Sequence, residues 1–311
     1  MHVFLQRLGS VFFLLLPMLG FSSEPPSATE SLTVSTAWLA EHLHDTNLVL
    51  LHVGDKGDYD ARHIPGARYV SLDDISVSDH SGKGLMLEMP TADDLHTRLA
   101  ALGNTDESRI IVYFAKDWVS PATRVIFTLD TAGLGQRSAL LDGGFDAWLR
   151  EKRETTKALP AAVKDGTLAA LQMQSRIVDA TFVQAHLNTP GYAVIDGRAA
   201  AYYDGIDTGM GHRGMHKTGH VAGAQNLPFS TVTTTDLKLK SPDELRAIFN
   251  KIGVKPDDTV IGYCHIGQQA TEMLFAARSL GHKVLLYDGS FEDWSNRDLP
   301  VENPAMKTVA K

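Results

Sequence analysis

Six short apolar runs mark the chain in two groups of three. Leu48 to Leu51, Ile110 to Tyr113 and Ala139 to Leu141 fall in the first half, and Ala193 to Ile195, Val260 to Tyr263 and Val284 to Tyr287 in the second. None alternates apolar with polar residues, which is the pattern of strands buried on both faces of a parallel sheet. Between them the period lengthens. Ala122, Val125, Ile126 and Leu129, and again Ala270, Met273, Leu274 and Ala277, recur at i, i+3, i+4 and i+7, which predicts helices. Ser241-Pro242-Asp243-Glu244 offers a helix start, with an N-cap serine, a first-turn proline and a glutamate at the capping-box position. Alternating strands and helices predict an α/β fold of doubly wound, mostly parallel sheets flanked by helices, with ligands outside the carboxyl ends of the strands.

The two groups are copies of one plan. Leu140-Leu141-Asp142-Gly143-Gly144-Phe145-Asp146-Ala147-Trp148 returns as Leu286-Tyr287-Asp288-Gly289-Ser290-Phe291-Glu292-Asp293-Trp294, an offset of 286 − 140 = 146 residues. Arg62 to Ala67 likewise pairs with Gly219 to Ala224, and Ile110 to Tyr113 with Val260 to Tyr263. Three blocks in the same order argue for tandem domains over chance. The expected division is a leader over 1–22, a first domain over 31–152, a linker over 153–175 and a second domain over 176–305. The linker expectation rests on charge, alanine and threonine without a strong period, and it predicts an exposed segment. Trp148 and Trp294 are expected to anchor equivalent cores.

The first residues fit a signal peptide: Arg7, an apolar stretch from Leu8 to Phe21 interrupted by Pro17, then Ser22 and Ser23. The stretch is too short to span a bilayer, so the expected product is exported, periplasmic in a bacterial envelope or otherwise secreted, with no stable membrane span after cleavage. The net charge of −8 and the lack of a basic run argue against nucleic acid as a partner.

The chain has one cysteine in 311 residues, Cys264. It ends the run Val260 to Tyr263 and is followed by His265-Ile266-Gly267-Gln268-Gln269-Ala270. A lone cysteine is ordinarily a buried packing residue. Between a strand and a helix, however, it can receive backbone N–H groups that favour the thiolate, and an exported odd thiol cannot form an internal disulfide. His265, Ile266, Gly267, Gln268, Gln269 and Ala270 are therefore the expected anion cradle, with Gly267 supplying the turn. A cysteine phosphatase would need arginine at Ala270 to grip phosphate, and alanine there argues against it.

These blocks, together with the strand-ending Asp196-Gly197-Arg198, resemble the tandem-domain rhodanese family, the thiosulfate sulfurtransferases, over roughly residues 31–303. The resemblance implies two rhodanese-like domains, an inactive first and a catalytic second. Phe114 stands where the first domain's thiol would be, in a loop expected to be longer than the second domain's. By resemblance, the Cys264 thiolate takes sulfur from thiosulfate or a similar small anion, becomes a persulfide and passes the sulfur to cyanide, a thiol or a protein acceptor. No cofactor is implied. A persulfide carrier or interaction module, and a 3-mercaptopyruvate sulfurtransferase, are the alternatives. The basic residues many thiosulfate users carry directly after the cysteine are absent, as is the Cys-Gly-Ser-Gly loop of mercaptopyruvate users, and Tyr202 occupies another position that is often basic. Arg198, Arg213, His216 and Lys217 are then the candidates for binding an anionic substrate, with an ion pair as the alternative role of Arg198. Asp196 and Asp288 are expected to brace loops. His212, His216 and His220 would align on a helix, but the glycines at 209, 211, 214 and 219 disfavour a helix there, and no metal site is expected.

Overall fold

The computed structural model describes residues 32–81, 84–160, 166–207 and 217–309. The first domain runs β1 (Thr33–Val34), α1 (Thr36–His42), β2 (Leu48–Val53), α2 (Lys56–Ala61), β3 (Arg68–Tyr69), α3 (Ala92–Ala101), β4 (Arg109–Phe114), α4 (Val119–Thr131), β5 (Ser138–Leu141) and α5 (Gly144–Arg150). The second domain opens with β6 (Ile177–Val178), α6 (Ala180–His186), β7 (Tyr192–Asp196) and α7 (Ala200–Tyr203), then β8 (His220–Val221) and β9 (Gln225–Asn226). It continues through α8 (Pro242–Lys251), β10 (Thr259–Tyr263), α9 (Ala270–Ser279), β11 (Val284–Tyr287), α10 (Ser290–Asn296), β12 (Val301–Glu302) and α11 (Pro304–Val309). The sheets are β1-β5-β4-β2-β3 and β6-β11-β10-β7-β9, the same order twice. Every pairing within them is parallel, while β8 and β12 form a separate antiparallel pair. The six apolar runs are all strands, as the sequence predicts.

Local chemistry repeats with the topology. Trp148 and Trp294 are each 1% exposed, and their indole N–H groups donate to Glu154 O and Pro300 O. His63 and His220 each place Nδ1 against a carbonyl oxygen, of Tyr59 and Tyr203, and stack on the ring of that same tyrosine. Ser241 caps α8 as expected: its Oγ accepts from Glu244 N–H at 3.4 Å, and its own N–H donates to Glu244 Oε2 at 3.0 Å.

The domains meet on α4 and α9. All thirteen residues of α4 are buried, one face by its own sheet and the other by the second domain. Thr123 Oγ1 lies 3.0 Å from Thr271 Oγ1, and these are equivalent positions on the two helices, so the contact sits near the pseudo-twofold axis. The aromatics are exchanged: Phe275 of α9 is buried in the first domain's core, and Phe127 of α4 in the second's. Asp130 of α4 pairs with Arg278 of α9 and with Arg176. Loops are exchanged as well. Asp142 Oδ1 accepts from Leu239 N–H, and Asp288 Oδ2 from Met89 N–H, the same device used in opposite directions. Carboxylates that accept backbone N–H groups across a seam fix its register.

Two expectations hold in part. The sequence predicts an exposed linker over 153–175, and none of its described residues is buried and most are exposed, but the segment is also tied to the first domain. Thr156 pairs with His63, Gly166 N–H donates to Ala100 O, and Leu168 and Leu171 pack on the core. Two leucines three residues apart supply this anchoring, and the low average hydrophobicity of the segment hides it. The sequence also predicts a first-domain loop longer than the second's: eight residues do separate Phe114 from Thr123, against six between Cys264 and Thr271, but α4 takes the later ones into its first turn and leaves four residues between β4 and α4. Val119, Ser120 and Pro121 belong to α4, because a proline in the first turn of a helix forfeits no intrahelical bond. Among the described residues no helix is long and apolar enough to cross a membrane. The proposed leader over 1–22 lies outside the described residues.

Candidate functional site

Cys264 follows directly on β10, the central strand of the second sheet, at the carboxyl end where α/β folds place ligands. It is fully buried. Its backbone N–H donates to Ser290 Oγ at 3.2 Å, and Ser290 Oγ donates in turn to Tyr287 O at 2.8 Å. Its carbonyl accepts from Phe291 N–H at 3.0 Å, and the His265 carbonyl from Glu292 N–H at 3.1 Å. The N-terminus of α10 therefore clamps the start of the loop.

The rest of the loop is turned the other way. Among the described residues, the N–H groups of Ile266, Gly267, Gln268, Gln269 and Ala270 have no hydrogen-bond acceptor, whereas Thr271 and Glu272 N–H close onto Gln268 O and Gln269 O. Gly267 makes the turn at φ +78°, and a Cβ there would lie 2.7 Å from Asp288 O. Glycine is required on both counts. Five unpaired donors in succession at the head of a ten-residue helix form a region of positive potential beside the thiol.

A residue of the first domain holds this loop in place. Arg124 of α4, 0% exposed, donates Nη1 to Gly267 O at 3.0 Å and to Asp288 Oδ1 at 2.5 Å, and Nη2 to Leu87 O. Gln268 Nε2 reaches Ser120 Oγ at 3.2 Å. Asp288 accordingly braces a loop, as expected, but across the domain seam. Sequence reasoning passed over Arg124, although its signal was present: the single basic residue of a helix otherwise made of apolar and hydroxyl residues and Asp130, with no carboxylate one turn away.

The proposed anion binders separate. Arg198 is 3% exposed and grips Asp196, with Nε to both carboxylate oxygens and Nη2 to Oδ2 at 2.6 Å; Nη2 also donates to Gly219 O. Its guanidinium carbon stacks 3.9 Å from the centroid of Phe291, the residue after Ser290. This is the ion-pair role, which also fixes Asp196 as a brace. Lys217 pairs with Asp298 at 2.6 Å and donates to Leu299 O, turned toward the end of α10. Arg213 and His216 lie outside the described residues, as does His212. His265 packs against the Tyr202 ring at 4.7 Å, edge to face. The equivalent of Cys264 in the first domain is Phe114, 1% exposed in the core.

Between the domains, beside this loop, lies a cavity of about 490 Å³. Trp118, Pro121 and Leu72 line it from the first domain, and Phe229, Gln268 and Glu272 from the second. Glu272 is 3% exposed, and burial pushes its carboxyl up to about 8. Neither Glu272 nor Trp118 stood out in the sequence, because the surroundings of each are built by segments distant in the chain.

Comparison with known proteins follows the same lines. The family model of the rhodanese-like domain matches residues 35–151 and 179–297. The thiosulfate sulfurtransferase of Azotobacter vinelandii is 27% identical over 279 residues, covering 88% of this chain and 98% of that protein. The 3-mercaptopyruvate sulfurtransferase of Escherichia coli strain K12 is 31% identical over 286 residues, covering 86% and 97%. Among solved structures, SseA of Escherichia coli, described as a 3-mercaptopyruvate sulfotransferase, superimposes with a TM-score of 0.72 at 28% identity, over 84% of this chain and 98% of that one.

Proposed function

This chain belongs to the rhodanese family, with two rhodanese-like domains and sulfurtransferase relatives along most of its length, and from that premise we propose that it moves sulfane sulfur through a persulfide on Cys264. The observation that carries this reading is the run of unpaired N–H groups from Ile266 to Ala270 next to a clamped Cys264. The thiolate attacks the outer sulfur of thiosulfate or a similar anion. The S–S bond of the donor breaks, sulfite leaves with the electron pair, and Cys264 carries a persulfide. The N–H groups stabilise the anionic outer sulfur, as in other sites that preorganise donors for developing charge. An acceptor such as cyanide or a thiol then attacks that sulfur, and the cysteine thiolate is restored. The first domain, with Phe114 at the equivalent position, serves as scaffold and as one wall of the site.

Relatives named for thiosulfate and for 3-mercaptopyruvate stand at 27% and 31% identity, so relatedness does not choose between these donors. The second reading, a persulfide carrier for a protein acceptor, draws support from the sulfur carrier protein TtuD of Thermus thermophilus, 26% identical over 274 residues. The apolar N-terminal stretch supports export to the periplasm as part of the proposal.

The test is sulfite release from thiosulfate in the presence of cyanide, beside intact mass after exposure to thiosulfate or 3-mercaptopyruvate. Wild type gains about 32 Da that cyanide removes, and Cys264→Ser gains none, as a covalent intermediate requires. Equal turnover in the two proteins removes Cys264 from the mechanism. Stoichiometric loading with negligible turnover on small acceptors selects the carrier.

A further inference from the structure

The cavity beside the cradle differs from it in charge. Its lining holds two acids, Glu272 and Asp117, and no lysine, arginine or histidine among the described residues. The Glu272 carboxyl, on a residue only 3% exposed, accepts one long hydrogen bond, from Thr233 Oγ1 at 3.4 Å, and has no cationic partner among the described residues. The turn over Phe229–Val232, packed on α9, carries no ionisable side chain, and nearby Lys240 donates Nζ to Thr231 O. On α4, Arg124 and Asp130 are taken by Asp288 and Arg278. Asp117 is exposed at the rim, next to Trp118, which is 38% exposed.

A buried carboxyl without a counter-charge is costly, and proteins ordinarily pair it or dispense with it. Here the chain supplies an apolar wall, an accessible indole and an acid whose partner is missing. A small anion gains nothing in this cavity, since it meets two acids and no cation. An ammonium group would complete the ion pair at low dielectric and could also rest on the indole face.

We propose that this cavity receives the sulfur acceptor, and that the acceptor is a thiol bearing a positive charge on an apolar frame, with its cation against Glu272 and its frame against Trp118. The assignment rests on the persulfide reading above. In the transfer, the acceptor thiolate attacks the outer sulfur of the Cys264 persulfide. A new S–S bond forms, the bond to Cys264 breaks, and the electron pair returns to the cysteine as thiolate. The acceptor leaves as its own persulfide. Donor anion and cationic acceptor thus approach one loop from regions of opposite charge.

The experiment loads wild type, Glu272→Gln and Trp118→Ala from thiosulfate, removes the donor and confirms about 32 Da of added mass. Each protein is then discharged with cysteamine, 2-mercaptoethanol and mercaptoacetate, which are short thiols with positive, neutral and negative ends. Rates are normalised to the same thiols acting on a small free persulfide. Wild type is expected to favour cysteamine over mercaptoacetate by about tenfold or more, the worth of one modest ion pair. The preference should grow as pH rises through about 8, where Glu272 ionises. Glu272→Gln should lose most of the preference and its pH dependence, and Trp118→Ala should discharge more slowly with cysteamine. Equal normalised ratios in wild type and Glu272→Gln overturn the assignment while leaving the persulfide intact. Absence of loading in wild type overturns the persulfide reading and this assignment with it.

Discussion

The hydroxyl of Ser290 holds the backbone N–H of Cys264 at 3.2 Å, and it does so from a left-handed conformation, φ +52°. The equivalent residue in the first domain is Gly144, at φ +57°, where a Cβ would lie 2.6 Å from the Phe114 ring. The two positions are linked for a steric reason. A phenylalanine at the end of the strand leaves room only for glycine behind it. A cysteine leaves room for serine, and serine then fixes the backbone of Cys264 at the expense of a strained φ.

Ser290→Ala keeps the Cβ and the strain but removes the acceptor of Cys264 N–H. Loss of one buried hydrogen bond with an orphaned donor costs about 1–3 kcal/mol. We expect a lower urea midpoint at unchanged m and a several-fold lower rate of sulfur loading. An unchanged loading rate would show that the loop needs no support from Ser290.

Arg124 joins the domains at the loop. Arg124→Met removes one partner of a buried ion pair and leaves Asp288 charged and uncompensated, which costs about 3–5 kcal/mol. Asp288→Asn in the same background restores part of that loss, since the double variant buries no lone charge. Equilibrium unfolding of the four proteins measures the coupling as a double-mutant cycle. Sulfur loading should fall with Arg124→Met even under conditions where the protein stays folded, because Gly267 O loses its donor.

Glu272 sets a pH dependence of stability. Its folded carboxyl ionises at about 8, against 4.5 in the unfolded chain. Between these values the unfolded state releases the proton and the folded state keeps it, so stability falls as pH rises through this window and levels off above it. Glu88 is raised to about 8 by burial and by Asp288, opposed by Arg124, and adds a contribution of the same sign. Glu272→Gln should gain stability over wild type progressively from about pH 5 to 8, by a few kcal/mol at most. Urea midpoints at three pH values check it, and a constant difference would contradict the raised pKa.

The first domain should resist conversion to a second centre. Phe114→Cys with Gly144→Ser copies the thiol and its hydroxyl support, but only four residues separate that position from α4, against five between Cys264 and α9. The shorter loop lacks the run of N–H groups that follows Cys264. In a Cys264→Ser background we expect intact mass to show no gain of about 32 Da from thiosulfate. A persulfide on the thiol introduced at position 114 would show that loop length is dispensable.

The sequence itself determined the two sheets, because buried parallel strands need uninterrupted apolar runs and the helices between them need an apolar face every three or four residues. Repetition of Asp-Gly-x-Phe and its tryptophan determined the tandem plan, and a lone cysteine between strand and helix marked the one position where a loop could present a thiol to backbone donors. Arg198 was legible only as two alternatives, because a guanidinium beside an aspartate in sequence can serve either substrate or scaffold. Contacts between distant segments decided the rest. Arg124 reaches Asp288 across 164 residues, Asp142 and Asp288 trade loops between the domains, and the second face of α4 is buried by a partner that its own periodicity cannot name. The cavity with its unpaired Glu272 arises in the same way. A glutamate in the first turn of a helix is ordinarily a solvated charge, and only the Phe229–Val232 turn of its own domain together with the opposing domain removes the water.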